Sequence, residues 1–320
     1  MRPSGGGEPA GGPRFDRPVP PRGYAWWYLD GLSDDGRHGL TIIAFIGSVF
    51  SPWYAWARRN GREAEPAAHC ALNIALYGGT RRWAMTERRS AALGRSDASL
   101  RIGPSALHWD GDVLTAEFAE SAAPLPRPVR GRVRLRPEAP GHRGFLLDAA
   151  GRHRWRPIAA AARVEVELDQ PRLRWSGPGY FDSNDGDAPL EEDFRRWDWC
   201  RAPLRRGAAV LYNVVRRDGS AQSLALRVHP SGAIEDMPAP PVAALPRSRW
   251  WLDRPTRADP GPAPRVVQTL QDAPFYARSV IETRLCGEAA TAVHESLDLD
   301  RFRAPWVQAM LPFRIPRALR

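Results

Sequence analysis

The stretch Ala208–Val228, AAVLYNVVRRDGSAQSLALRV, indicates the fold class most directly. Two apolar runs flank Asp218-Gly219, and an Asp-Gly pair between such runs is typical of a tight β hairpin. Leu107–Phe118, LHWDGDVLTAEF, repeats the pattern around a second Asp-Gly pair. Arg163–Leu168 alternates strictly between charged and apolar side chains, as a strand with one buried face does. These patterns predict a chain of short antiparallel strands.

Proline and glycine support the same prediction. The 320 residues include 32 prolines and 28 glycines, spread over the whole length. Proline interrupts helices and glycine favours turns, so long helices are not expected. Only residues 291–320 leave room for a helix of more than three turns. Many short strands separated by turns are typical of β barrels and sandwiches, and the sequence therefore predicts an all-β protein.

Two segments with similar openings predict two domains. Gly23–Tyr28, GYAWWY, is followed by a turn and a hairpin, and Trp197–Cys200, WDWC, precedes the hairpin described above. A chain of this length commonly holds two domains or one large β domain. We predict two tandem β domains over residues 23–190 and 191–320, with a junction near the acidic stretch Asp182–Asp193. The first domain is expected to carry most of the active site.

The charged residues exclude several classes of enzyme. All 46 basic residues are arginine, and the absence of a lysine amine excludes Walker-A ATPases, pyridoxal phosphate enzymes, Schiff-base aldolases and Ser-Lys hydrolases. The net charge of +10 fits an anionic partner such as a membrane surface or nucleic acid. A coding bias toward arginine explains the same charge. Because the arginines are interspersed with acids, nucleic-acid binding is the weakest interpretation.

Cysteine spacing and apolar stretches indicate the compartment. Cys70, Cys200 and Cys286 lie far apart and form no C-x-x-C pair, so neither a zinc site nor a redox pair is predicted, and a reducing cytoplasm is expected. Gly39–Phe50 is the longest apolar stretch, and it is shorter than the roughly 20 residues of a spanning helix. Residues 1–22 are rich in Gly, Pro and Arg without a signal-peptide core, which predicts a disordered tail.

Tryptophan is unusually frequent, with 13 residues. Most tryptophans pack in cores, and that remains the alternative for each of them. Tryptophans in polar company can also line an apolar pocket and stabilise a cation over the indole face, by about 0.5–2 kcal/mol each. The tryptophans predicted to bind substrate are Trp26, Trp27, Trp197 and Trp199.

Strand alternation selects four candidate catalytic residues. In RHRWR at 152–156, His153 and Trp155 share one face, and in GPGYFDSNDGD at 177–187 Tyr180 and Asp182 do so. The alternatives are a buried structural histidine and a solvated acidic loop. A calcium loop beginning at Asp182 is excluded because its sixth position, a glycine in EF-hands, is Asp187. No phosphate-binding, nucleophile-elbow or metal motif occurs, which leaves proton chemistry in an aromatic pocket, with no metal and no cofactor.

The chain resembles the carotenoid 1,2-hydratases, also called hydroxyneurosporene synthases, of phototrophic bacteria. The segments that carry the resemblance are RGYAWWYLDGLSDDGRHGLTIIAFIGSVFSPWYAW at 22–56, HRW at 153–155, GPGYFDSNDG at 177–186, WDWCR at 197–201 and FYARSVIETRL at 275–285. The resemblance implies two tandem lipocalin-like β-barrel domains. It also implies cofactor-independent hydration of the terminal double bond of acyclic carotenoids, such as neurosporene and lycopene, to a tertiary alcohol.

The resemblance also assigns the residues. The aspartate that serves as proton donor in the family, with its histidine, tryptophan and tyrosine, matches Asp182, His153, Trp155 and Tyr180. The donor must be protonated near neutral pH, whereas an ordinary aspartate has a pKa of about 3.9. Desolvation in an aromatic pocket supplies the required rise of about 3 units. We expect Trp155 to face the carbocation, and Tyr180 or His153 to position the water.

A long polyene is insoluble in water and must arrive from a membrane or a partner protein. The segment Ala304–Arg320, APWVQAMLPFRIPRALR, mixes aromatic and aliphatic side chains with arginines, which suits a bilayer surface. The alternative is a docked C-terminal strand. We expect a cytoplasmic protein peripherally associated with the inner, photosynthetic membrane, with other carotenoid-pathway enzymes as further partners. A lipocalin-like isoprenoid carrier and an isoprenoid or polyketide cyclase are the competing functions.

Overall fold

The computed structural model describes residues 12–60 and 64–318. The first twelve strands form one sheet. They are β1 (Tyr24–Leu32), β2 (Gly39–Ile46), β3 (Cys70–Tyr77), β4 (Arg82–Arg88), β5 (Leu93–Arg95), β6 (Ser99–Ile102), β7 (Ser105–Trp109), β8 (Leu114–Ser121), β9 (Pro128–Pro137), β10 (Phe145–Leu146), β11 (His153–Gln170) and β12 (Leu173–Gly186).

The first sheet has the order β4-β3-β2-β1-β12-β11-β9-β8-β7-β6-β5, with β10 paired to β11. A bridge between Ala84 and Ala122 links β4 to the segment after β8, so the sheet is nearly closed. The hairpin predicted at Leu107–Phe118 is confirmed, because β7 pairs antiparallel with β8 around Asp110 and Gly111. Strand β1 pairs with both β2 and β12 and is therefore central.

Nine strands follow in the second part of the chain. They are β13 (Phe194–Pro203), β14 (Ala208–Arg216), β15 (Ala221–Val228), β16 (Ile234–Asp236), β17 (Val242–Leu245), β18 (Arg254–Arg257), β19 (Arg265–Asp272), β20 (Tyr276–Leu285) and β21 (Glu288–Asp298). Seven of them form a second sheet in the order β16-β15-β14-β13-β21-β20-β19, and β17 pairs with β18. The predicted Asp218-Gly219 hairpin is confirmed as β14 and β15.

The helices are short. They are α1 (Pro52–Arg59), α2 (Leu190–Asp193), α3 (Leu299–Arg303) and α4 (Pro305–Met310), with 3₁₀ turns at Pro66–Ala68, Ser90–Ala92 and Leu311–Phe313. Sequence analysis missed α1, although the Ser51 side chain caps it and Pro52 begins it, a common N-terminal signal. No described helix has the length and apolarity needed to cross a membrane.

The two faces of β1 contribute to two different cores. Trp27 and Leu29 pack inside the first sheet, whereas Trp26 and Tyr28 face the second sheet. This second core takes in aromatic side chains of β13 and β14, and it therefore joins the two sheets. Alternation along β1 explains the split, since successive side chains point to opposite faces. The all-β, lipocalin-like fold class is confirmed, while the division into tandem domains at residue 190 stays a prediction.

Residues 12–22, which composition assigns to a disordered tail, pack on the first sheet. Phe15 is fully buried, and its ring lies 5.0 Å from that of Trp27. The Trp27 indole N–H donates to the carbonyl of Pro13 at 2.9 Å. One aromatic contact and one hydrogen bond thus hold this segment despite its glycine and proline, and the predicted tail is too long on its C-terminal side. The rest of that prediction, residues 1–11, lies outside the described residues.

Candidate active site

Asp182 lies at the centre of an aromatic cluster between the two sheets. The antiparallel register sets Asp182 of β12 opposite Pro157 of β11, and Asn184 opposite Trp155. One Asp182 oxygen, Oδ2, accepts hydrogen bonds from the Trp155 indole N–H and the Tyr180 hydroxyl, both at 2.8 Å. The structure therefore brings together three of the four predicted catalytic residues.

The surroundings of Asp182 favour its neutral form. Its side chain is 4% exposed, and the groups that contact Oδ2 are uncharged donors. Burial raises the pKa of Asp182 to about 8, and the two hydrogen bonds from Trp155 and Tyr180 oppose that rise. The other oxygen, Oδ1, is buried and has no hydrogen-bond partner among the described residues. A carboxyl group in this state can donate a proton near neutral pH.

His153 is held in a separate network. Its Nδ1 lies 2.9 Å from the Tyr24 hydroxyl and its Nε2 lies 2.6 Å from the Asp193 carboxylate. Both ring nitrogens are thus occupied, and neither contacts Asp182. Burial lowers the pKa of His153, while Asp193 opposes the decrease. This arrangement orients the imidazole at the edge of the cluster, two positions along β11 from Trp155.

Three of the four predicted substrate-binding tryptophans lie in the core between the two sheets, and the fourth, Trp27, does not. Trp26 and Trp197, from different sheets, lie 6.1 Å apart between ring centroids. Trp199 packs at 4.9 Å against Tyr180. Trp27 instead belongs to the inner core of the first sheet, on the opposite face of β1. Adjacent strand positions cannot face one pocket, so Trp26 and Trp27 are separated by the pleat.

Sequence reasoning missed several residues at the same cluster. Tyr28 packs edge-on against Tyr180 at 6.1 Å, and Tyr212 lies 5.0 Å from Trp155. The Tyr28 hydroxyl also lies 2.8 Å from the carboxylate of Glu295 on β21. Alternation from Trp26 would have found Tyr28, whereas no local pattern points to Tyr212 or Glu295.

A cavity of about 320 Å³ opens beside this cluster. Its inner end is lined by Trp26, Tyr28, Trp197 and Glu295, and its outer end by Trp250 and residues of the C-terminal segment. Asp182 does not line the cavity: Tyr28, which does, packs on Tyr180, and the Tyr180 hydroxyl donates to Asp182. Within the described ranges, no three His, Cys, Asp or Glu side chains are grouped as metal ligands would be.

Solved structures share the fold at low sequence identity. An AttH protein from Nitrosomonas europaea superposes with a TM-score of 0.57 at 16% identity, covering 86% of this chain and 92% of that one. Kievitone hydratase from Nectria haematococca gives a TM-score of 0.53 at 7% identity, with 86% and 90% covered. At such identities the likeness concerns the fold alone.

Curated relatives are much more similar in sequence. The acyclic carotenoid 1,2-hydratase of Thiocapsa roseopersicina is 58% identical, over 98% of this chain and 78% of that protein. The protein of the same name from Rubrivivax gelatinosus is 52% identical, over 96% and 76%. A family model described as carotenoid hydratase CrtC matches residues 42–320. The chain therefore belongs to the carotenoid hydratase CrtC family of enzymes.

Proposed function

We propose that this protein is a hydro-lyase that adds water to the terminal double bond of acyclic carotenoids, such as neurosporene or lycopene, and forms a tertiary alcohol. The observation that carries the proposal is the state of Asp182. Its carboxyl is buried among aromatic rings, has a pKa raised to about 8, and is contacted by neutral donors at one oxygen. Family membership and the names of the most similar relatives support the same reaction.

The proton to be donated resides on Oδ1 of Asp182. Oδ2 already accepts two hydrogen bonds, so a proton there would displace one of them. Oδ1 transfers its proton to the less substituted alkene carbon, where the π electrons form the new C–H bond. The other carbon becomes a tertiary cation, and a water oxygen bonds to it and releases a proton. Acid–base side chains are sufficient for these steps because no electron transfer is involved.

Aromatic rings stabilise the cation. Trp155 donates its N–H to Asp182 and packs against Tyr212 at 5.0 Å. Trp199 lies 5.6 Å from Tyr28. A desolvated cation over such a ring gains about 0.5–2 kcal/mol, and the surrounding apolar side chains keep bulk water from competing with the single attacking molecule. Tyr28 and Tyr180 lie between the cavity and Asp182, so the end of the substrate must pass these rings to reach the acid.

The reaction is tested with lycopene incorporated into liposomes and the purified protein in oxygen-18 water. We expect a product heavier by one labelled water, detected by mass spectrometry. Asp182→Asn serves as the matched control, because asparagine keeps the size and one acceptor oxygen but has no acidic proton. A substrate recovered unchanged, with neurosporene also inert, would contradict the proposal and favour the carrier. An isomer of unchanged mass would favour the cyclase.

We further propose that the substrate enters from an anionic bilayer at the outer end of the cavity. Trp250 lines that end, is partly exposed and stacks on Trp306 at 6.0 Å. Its neighbour Trp251 is 70% exposed and has a φ of 60°, a costly conformation for a bulky residue. Phe313 is 77% exposed. Tryptophan is typical of membrane interfaces, and the exposed Arg249, next to Trp250, adds attraction to anionic lipid.

Vesicle sedimentation tests this entrance. The wild-type protein should bind phosphatidylglycerol vesicles more strongly than phosphatidylcholine vesicles. Trp251→Ser combined with Phe313→Ser should weaken binding to both. Leu146→Ser is the control, because Leu146 is an apolar side chain that is 54% exposed on β10 but lies away from the cavity lining. Equal loss of binding in the control, or none in the double variant, would exclude this surface.

A further inference from the structure

Two carboxylates line the cavity, Asp272 and Glu295, and the reaction scheme above uses neither. Asp272 accepts from the backbone N–H of Arg249, next to Trp250 at the outer end, at 2.7 Å, so Glu295 is the carboxylate of the inner end. Glu295 lines the inner end of the cavity together with Tyr28 and Trp197. It is 9% exposed. Asp182 does not line the cavity and lies behind Tyr28 and Tyr180. The inner end of the site thus has two acids at different depths, and a water in the cavity can reach Glu295 before Asp182.

Glu295 belongs to a buried ion cluster that joins the sheets. Arg278 of β20 contacts both Glu295 and Asp30 of β1, and its distance to Asp30 is 2.6 Å. Arg201 of β13 donates to the other Asp30 oxygen at 2.8 Å. Two guanidinium groups thus balance two carboxylates in a region where each of these side chains is almost inaccessible. Such pairing favours the ionised form of each carboxylate and opposes the effect of burial.

The hydrogen bonds of Tyr28 leave Glu295 able to accept a further hydrogen bond. The Tyr28 hydroxyl lies 2.9 Å from Asp30 Oδ2 and 2.8 Å from Glu295 Oε1, and it accepts from Arg278. A phenol has one proton and can donate it to only one of these carboxylates at a time. Glu295 therefore keeps acceptor capacity at the cavity, where a water molecule can donate to it.

We propose that Glu295 is a second catalytic residue, the general base that takes the proton from the water attacking the carbocation. This inference rests on the proposed hydration. The water oxygen bonds to the tertiary carbon, one water O–H bond breaks, and its proton moves to a Glu295 oxygen. Asp182 has by then lost its proton to the alkene, so one proton is consumed and one is released. Exchange with solvent through the cavity restores both groups.

A separate acid and base give the reaction two pH limits. The rate should fall at high pH as Asp182 ionises and at low pH as Glu295 becomes protonated. Burial raises the pKa of Glu295, and Arg278 opposes the rise. The charged or titratable groups around Glu295 are Tyr28, Asp30, Tyr77, Asp182, Tyr212, Tyr276 and Arg278.

The test compares Glu295→Gln with Asp30→Asn in the oxygen-18 hydration assay. Both variants remove one negative charge from the same cluster, but only Glu295 lines the cavity. We expect Glu295→Gln to lower kcat about 100-fold, with KM within about threefold of wild type, and to lose the low-pH limit. Asp30→Asn should lower the unfolding temperature while retaining kcat within about threefold and a pH profile with two limits. Both limits should move to lower pH, because the Asp30 charge raises the pKa values of Asp182 and Glu295.

Any of three results with Glu295→Gln would overturn the proposal. Glu295→Gln could retain the wild-type rate or the low-pH limit, or it could lose no more activity than Asp30→Asn. In each case a wild-type enzyme that hydrates lycopene leaves the proposed function intact. A wild-type protein that hydrates neither carotenoid removes the proposed function itself. If Glu295→Gln does not fold, Glu295→Asp retains the charge and shortens the reach, so an unchanged kcat in that variant contradicts the proposal.

Discussion

Two groups of buried acids in this protein differ in what surrounds them. Asp182 is contacted at Oδ2 by an indole N–H and a phenol, and burial raises its pKa to about 8. Asp30 is equally buried but lies between Arg201 and Arg278, and the pKa of Asp30 is lowered: burial pushes it up, and the two guanidinium groups together pull it below its ordinary value. Depth alone therefore does not determine protonation, since the neighbouring charges reverse the effect of burial.

Within one core, Asp182 serves the proposed reaction, whereas the ion cluster around Asp30 stabilises the packing of the two sheets. The neutral site supplies a proton where an apolar substrate end can be desolvated. The ion cluster holds β1 against β13, β20 and β21 through contacts between side chains far apart in sequence. Glu295 belongs to the second group but borders the cavity used by the first. Variants that remove the proton of Asp182 or a charge of the ion cluster should therefore have different effects on activity and on stability.

Removal of the Asp182 proton should have the largest effect. Asp182→Asn is expected to lower kcat about 10²–10⁴-fold, the range of general acid catalysis. Asp185→Asn is the matched control on the same strand, because Asp185 pairs with Arg154 near the surface. The measurement is the hydration rate under saturating lycopene. Wild-type turnover in Asp182→Asn would eliminate the proposed acid.

Removal of Arg278 should destabilise the buried ion cluster and thereby lower the free energy of unfolding. Arg278→Met leaves Asp30 and Glu295 with less compensation, and breaking a buried ion pair costs about 3–5 kcal/mol. Urea unfolding measures the loss. Arg132→Met, which removes an exposed pair with Glu117, should cost less than about 1 kcal/mol. Similar losses in the two variants would mean that the cluster contributes little to stability.

The pH dependence of stability should distinguish Asp182 from an ordinary aspartate. Its folded pKa of about 8 exceeds the unfolded value of about 3.9. The unfolded chain therefore releases this proton first, and wild-type stability falls as pH rises from about 4 to about 8. Asp182→Asn removes that dependence. We expect the two proteins to be similar in stability at pH 4, and the variant to gain a few kcal/mol at pH 8 by urea unfolding.

The informative quantity is the difference in unfolding free energy between wild type and Asp182→Asn as a function of pH. Parallel stability curves for wild type and Asp182→Asn between these pH values would show an ordinary, ionised Asp182. They would remove the contrast between the two groups of acids.

Loss of a donor to Asp182 should have the smallest effect. The Trp155 hydrogen bond opposes the rise in the pKa of Asp182, so Trp155→Phe should raise that pKa further. The high-pH limit of kcat/KM should move upward by about one pH unit or less. Trp109→Phe, in the inner core of the first sheet, should leave the limit in place. A downward movement in Trp155→Phe would contradict the assignment of this bond.

Local patterns in the sequence were sufficient to predict residues of the Asp182 site but not those of the ion cluster. Alternation placed Tyr180 with Asp182 and His153 with Trp155, because each pair lies two residues apart on one strand. It did not show that His153 binds Tyr24 and Asp193, since those contacts depend on strand order and on α2. Pairing between β11 and β12 then brought Trp155 to Asp182.

The ion cluster could not be predicted because the signals for it were misleading or distant. Coding bias explains the abundance of arginine, so composition does not single out the fully buried Arg201 and Arg278. Both lie in segments that carry the family resemblance, WDWCR and FYARSVIETRL, so that resemblance was the available signal. Glu295 pairs with Arg278 only through the register of β20 and β21, which nothing local specifies.

The protonation state of Asp182 is the central claim, and infrared difference spectroscopy of wild type against Asp182→Asn measures it directly. A protonated carboxyl has a carbonyl stretch that is separated from those of carboxylates and amides. We predict a band at pH 7 that is present in the wild type, absent from the variant, and lost with a midpoint near pH 8. Absence of that band at pH 6 and 7 would show that Asp182 is ionised and would contradict the account.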